Sequence, residues 1–139
     1  RAMVERRGAP VAFRRGQLSP APSAAPPIHI GGYSAAALRR AARVGDGYIG
    51  AGTAPEGVKP LLRRLHELRK EYNREHLPFE AMLGITATPS PDLYRRLADD
   101  GLQSTVAPPF RYALGKKHST IDEKKRFMEA YAEGILRHF

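Results

Sequence analysis

The feature that most constrains this chain is a repeated alternation. From Pro27 onward, short apolar runs alternate with longer segments whose apolar residues recur every three or four positions. That is the pattern of strand-then-helix units, and consecutive units of this kind build a parallel sheet with helices covering it. Ile28-His29-Ile30 is the first run. Gly31-Gly32 ends it, and Ser34 is placed to cap a helix beginning at Ala35. Within that helix Leu38, Ala41 and Ala42 share one face, Arg39, Arg40 and Arg43 point elsewhere, and Gly45 suits the stop.

The next strand centres on Tyr48-Ile49, and Thr53 with Glu56 has the spacing of a capping box opening a long helix, with Pro55 in its first turn. Val58, Leu61, Leu62, Leu65 and Leu68 form the apolar stripe of that helix. Phe79, Ala81, Leu83, Ile85 and Ala87 alternate as a half-buried strand does, and Ser90-Pro91-Asp92 signals a third helix with Leu93, Leu97 and Ala98 inward. Gly101 stops it. Residues 104–107 form a fourth strand ended by Pro108-Pro109, and Thr120 with Glu123 repeats the capping-box spacing before a helix running to Phe139.

Four βα units are half of a (β/α)8 TIM-type barrel, which typically takes about 250 residues. The fold expected over residues 28–139 is therefore a half-barrel, α/β with a parallel sheet. An open half-barrel leaves two sheet edges to be paired or covered, so an N-terminal barrel half or a second copy of the chain is the expected partner. Residues 1–27 are rich in Arg, Pro, Ala and Ser and read as an irregular arm with one short strand at Val11-Ala12-Phe13.

Composition excludes several classes. The chain has no cysteine, which removes disulfides, thiolate metal sites and a cysteine nucleophile, and fits a reducing, cytoplasmic location. The five histidines lie far apart without a helical carboxylate partner, so no metal site is expected. The apolar runs are far short of the roughly 20 residues that cross a bilayer. The chain starts at Arg1 with no charged-then-apolar leader, so neither an export signal nor a native start is expected. A net charge of +9 raises nucleic acid as a partner, yet the basic residues come as scattered pairs without interleaved aromatics, which argues against it.

The chemistry concentrates at the two glycine-rich strand ends. A glycine pair between a strand and a helix lets the backbone approach a ligand and aims the free N–H groups of the helix at it, which suits phosphate. Gly50-Ala51-Gly52-Thr53 ends the neighbouring strand and lies at the same rim, so two loops are placed to share one phosphate. A Gly-Gly pair is equally a way to make a tight turn with no ligand.

The phrases Pro-Ile-His-Ile-Gly-Gly-Tyr-Ser, Ala-Leu-Arg-Arg-Ala-Ala-Arg and Gly-Asp-Gly-Tyr-Ile-Gly, spanning about 25 residues, resemble the phosphate-end signature of luciferase-like monooxygenases. Phe13-Arg14-Arg15-Gly16, Ala25-Pro26-Pro27 and Pro78-Phe79-Glu80 fit the same resemblance. It implies the C-terminal half of a flavin- or deazaflavin-dependent oxidoreductase, with FMN or a deazaflavin (coenzyme F-420) as cofactor. It further implies that Gly31, Gly32, Tyr33 and Ser34, with Gly50, Ala51, Gly52 and Thr53, contact the cofactor's phosphate or the adjoining ribityl chain. The ring and substrate pockets of the family use earlier strands, so no catalytic residue and no substrate carries over.

Other candidates read as structural. His29 alternates within a strand, facing either the barrel interior or the helices, and reads as a hydrogen-bonded structural histidine; Asp46, in a Gly-Asp-Gly turn, reads as a cap for local backbone N–H groups. Asp99-Asp100 reads as a solvated pair at a helix end, and the basic residues 111–118 lie where an anionic cofactor tail would be received. Two rival readings stand beside the oxidoreductase: a basic nucleic-acid-binding module, and a non-catalytic remnant that self-associates.

Overall fold

The computed structural model describes residues 4–6, 9–11 and 22–139. Near the N-terminus β1 (Val4–Arg6) and β2 (Ala9–Val11) pair antiparallel, with Val4 opposite Val11. The arm thus carries a two-stranded ribbon where a single strand is expected at Val11-Ala12-Phe13. Val11 ends β2, while Ala12, Phe13 and the Phe-x-x-Gly segment lie outside the described residues.

The rest alternates strand and helix: β3 (His29–Gly31), α1 (Ala35–Val44), β4 (Gly47–Thr53), α2 (Pro55–Glu71), β5 (Glu80–Ile85), α3 (Pro91–Asp99), β6 (Ser104–Val106), α4 (Phe110–Ala113) and α5 (Ile121–Gly134). A 3-10 turn, Leu136–His138, follows. The four later strands form one parallel sheet in the order β3-β4-β5-β6, each hydrogen-bonded to the next in sequence. Sequential parallel strands joined by helices are the arrangement of part of a TIM-type barrel.

Strand alternation divides the sheet into two faces. Tyr48 lies opposite Ala81 and Gly50 opposite Leu83, and this face packs against Ala41 of α1, Val58 and Leu65 of α2 and Leu97 of α3. Tyr48, Val58, Leu65, Leu68, Leu83 and Leu97 are fully buried. Side chains of Val or Leu size each stabilise by roughly 1.5–3 kcal/mol when so buried. The opposite face is open: Ile49 is 42% exposed and Val106 43%. Among the described residues β3 and β6 pair on one side only, leaving both sheet edges free.

Local signals account for most helix starts. Ser34 accepts from the Ala37 N–H at 3.2 Å, Ser90 from the Leu93 N–H at 3.2 Å, and Thr120 with Glu123 forms a reciprocal capping box. The expected box at Thr53 and Glu56 is absent: α2 is capped by Ala54, with no side-chain bond. Thr53 is instead the last residue of β4, because parallel pairing continues to Thr53 opposite Ile85. That pairing makes β4 longer than the Tyr48-Ile49 core. The segment after β6 contains the one-turn helix α4.

Helix α5 has no buried residue. Between α3, β6, α4 and α5 lies an open apolar groove of about 710 Å³, walled by Tyr94, Phe110, Phe127, Met128, Tyr131 and Phe139.

Candidate functional site: the glycine rim

The rim is built from the C-terminal ends of β3 and β4. After Gly31 the chain turns through Gly32 at φ +109, a left-handed conformation that L side chains rarely adopt, and a Cβ there would also come within 3.0 Å of the Ala37 side chain. Tyr33 and Ser34 follow, and α1 begins with no acidic residue in its first turn. The Ser34 cap leaves the backbone N–H groups of Tyr33, Ser34, Ala35 and Ala36 without an acceptor among the described residues. Consecutive unpaired N–H groups at the positive end of a helix dipole attract an anion.

The second loop is tied to the first through one phenol. Tyr33, 51% exposed, donates its hydroxyl proton to the Ala51 carbonyl at 2.8 Å, and its oxygen also lies 2.8 Å from Thr53 Oγ1. A phenol has one proton, so with Tyr33 donating to Ala51 the Thr53 hydroxyl is the donor of the second bond. Thr53 is itself buried. Gly50 makes the approach possible, since a Cβ there would lie 2.8 Å from the Tyr33 oxygen and 2.8 Å from the Leu83 side chain.

Beneath both loops lies Tyr48. Its ring meets Tyr33 edge-on, with centroids 6.3 Å apart, and its hydroxyl donates to the Gly32 carbonyl at 3.1 Å. Burial, reinforced by Tyr33 beside it, pushes the Tyr48 phenol up to about 12. It therefore stays protonated and able to donate at physiological pH.

The eight residues singled out from sequence, Gly31 to Ser34 and Gly50 to Thr53, are thus brought side by side. Their two helices are unequal, however. Pro55 removes an N–H from the start of α2, Glu56 adds a carboxylate to its first turn, and the Gly57 N–H is taken by the Ala54 carbonyl. The α1 end is the anion-attracting one, while the second loop contributes small residues and the attachment for Tyr33.

Three other clusters clarify the remaining candidates. At the opposite end of the sheet His29 Nε2 lies 3.2 Å from Glu80 Oε2, and the Ser104 hydroxyl donates to Glu80 Oε1. Those two hydrogen bonds, Ser104's the stronger influence, hold the Glu80 carboxyl below its ordinary range. Asp46 Oδ2 accepts from the Ile28 N–H at 2.9 Å, so it caps a backbone group of the adjoining strand rather than its own turn. Asp100 pairs with Lys59 at 2.9 Å, and Lys116 of the basic segment pairs with Glu123. The pairings of Glu80, Ser104 and Tyr48 carry no signal in a one-dimensional reading, because strand register brings their partners to them. Among the described residues no group of histidines and carboxylates is arranged to hold a metal.

A model of the luciferase-like monooxygenase family matches residues 2–137. This chain belongs to that family. It is also 34% identical over 126 residues to uncharacterised proteins of Mycobacterium bovis and of two Mycobacterium tuberculosis strains. Those alignments cover 86% of this chain and 41% of each relative, so the luciferase-like chain spans about two fifths of their length. Membership makes it part of an oxidoreductase family, with the described sheet in the place of part of the barrel. No helix among the described residues is long and apolar enough to cross a membrane.

Proposed function

We propose that this chain supplies the phosphate-holding rim of a flavin- or deazaflavin-dependent oxidoreductase, with Gly31, Gly32, Tyr33 and Ser34 around the phosphate and Gly50, Ala51, Gly52 and Thr53 beside the ribityl chain. The observation that carries the reading is the run of unpaired N–H groups from Tyr33 to Ala36 at the start of α1, beside a loop of small residues. A phosphate fits there: the loop is open, no carboxylate stands in the first turn of α1, and Gly32 lets the backbone approach closely. When bound, FMN or the deazaflavin supplies the hydride or oxygen chemistry itself.

The chain's own share is binding and orientation. The open sheet face and the two edges left free among the described residues call for a partner barrel half, and the relatives' greater length is consistent with one. The ring and substrate pockets are assigned to that other half. Titration of the chain with FMN and with coenzyme F-420, alone and with the N-terminal half of a relative added, tests the reading. Saturable binding of either cofactor supports it, and no binding of either in both settings refutes it.

A further inference from the structure

Gly32 permits the conformation of the first loop but cannot enforce it, because a residue without a Cβ has the widest choice of backbone angles. Something else must fix the peptide between Gly32 and Tyr33. In a trans peptide the C=O and the following N–H point in opposite directions. The Tyr48 hydroxyl holds the Gly32 carbonyl toward the core at 3.1 Å, so the Tyr33 N–H is turned outward, where it finds no acceptor among the described residues. Tyr48 is fully buried and cannot itself reach a ligand. Tyr33 completes the arrangement from above: its ring rests edge-on against Tyr48 while its hydroxyl holds the Ala51 carbonyl and meets Thr53.

We infer that Tyr48 and Tyr33 form a positioning pair for the rim, Tyr48 aiming the Tyr33 N–H at the phosphate and Tyr33 fixing the distance between the two loops. This rests on the phosphate-rim reading proposed above. It assigns to the tyrosines a role in discriminating phosphorylated from unphosphorylated flavins, beyond merely filling the core.

The test compares FMN and coenzyme F-420, which carry phosphate, with riboflavin, which does not, following affinity and the Tyr33 amide signal by NMR. Tyr48→Phe keeps the ring and its contact with Tyr33 while removing the hydroxyl, so the core is retained. Tyr33→Phe changes a half-exposed side chain and serves as a second variant that does not endanger the core. Tyr94→Phe, which removes a different part-buried tyrosine hydroxyl bond, to Tyr131 at 3.1 Å, controls for general loosening.

The expected result is a phosphate-dependent shift of the Tyr33 amide in the wild-type chain. In Tyr48→Phe and Tyr33→Phe the preference for the phosphorylated cofactor over riboflavin falls about tenfold, and in Tyr94→Phe it is unchanged. If the wild-type chain binds the phosphorylated cofactor and either rim variant keeps the full preference, the positioning role is overturned while the rim reading stands. If the wild-type chain shows no phosphate preference, both fall together.

Discussion

His29 reaches Glu80 across an intervening strand, its ring passing over a β4 position that has no side chain, Gly47. The register sets Gly47 opposite both His29 and Glu80, and Nε2 lies 3.2 Å from the carboxylate. A Cβ on Gly47 would stand 2.3 Å from His29 Cδ2 and 2.7 Å from the Glu80 carbonyl oxygen, the latter a backbone atom that cannot swing aside. Gly47→Ala is therefore expected to displace the imidazole and destabilise the fold by about 1–3 kcal/mol. Urea denaturation measures this; a midpoint equal to wild type would show that the ring is free to move.

The same cluster governs the acid limb. Glu80 has a folded pKa below its ordinary value, through Ser104 first and His29 second. A depressed carboxyl stabilises the fold above the ordinary carboxylate range and loses that contribution as pH falls through the folded value. Glu80→Gln should flatten the acid side of a melting-temperature profile, and an unchanged slope would place the acid sensitivity elsewhere.

At the alkaline end the sign reverses. Tyr48 is raised to about 12, chiefly by burial, from the ordinary phenol value of 10.0. The folded state prefers the protonated phenol, so its contribution is complete below about pH 10 and is lost as pH rises towards 12. Tyr48→Phe should remove this alkaline loss, read from denaturant midpoints between pH 9 and 12.

Arg69 fastens the turn between α2 and β5. It is buried, stacks on the Phe79 ring at 4.3 Å, and donates to the carbonyl oxygens of Arg74 and Leu77. Arg69→Met keeps much of the volume but leaves both carbonyls without that donor, at an expected cost of about 2–4 kcal/mol. Arg69→Lys should recover only part of this, since a compact ammonium does not stack on Phe79 as the planar guanidinium does. Hydrogen exchange across residues 72–79 reports the loosening.

Helix α5 buries none of its residues, so its order depends unusually on its capping box. Thr120→Ala should cost about 1 kcal/mol, felt as faster amide exchange in the first turn of α5 and little change in the sheet. Equal protection in the variant would mean that the groove side of α5 holds the helix more firmly than its cap does.

What was legible in the sequence is what local chemistry decides. Ser34, Ser90 and the pair Thr120 and Glu123 cap helices because their partners lie three residues away. The strand-helix alternation and the glycine loops follow from equally local patterns. Thr53 was misleading for the opposite reason: its backbone is claimed by β5 and its hydroxyl by Tyr33, and both partners come from elsewhere in the chain. The His29–Glu80–Ser104 cluster and the Tyr48–Gly32 bond depend on which strands lie side by side, which no window of neighbouring residues contains. The unequal helix starts, by contrast, were already written in Pro55 and Glu56.

The bond between Tyr33 and Thr53 joins positions only 20 residues apart, and that between Tyr48 and Gly32 only 16. Loops this short close at small entropic cost, and contacts of such low sequence separation are the kind a chain makes fastest as it folds. The glycine rim belongs to a single β-α-β unit, so on the way to the native state it is a local event, complete before the distant edges of the sheet need to meet anything.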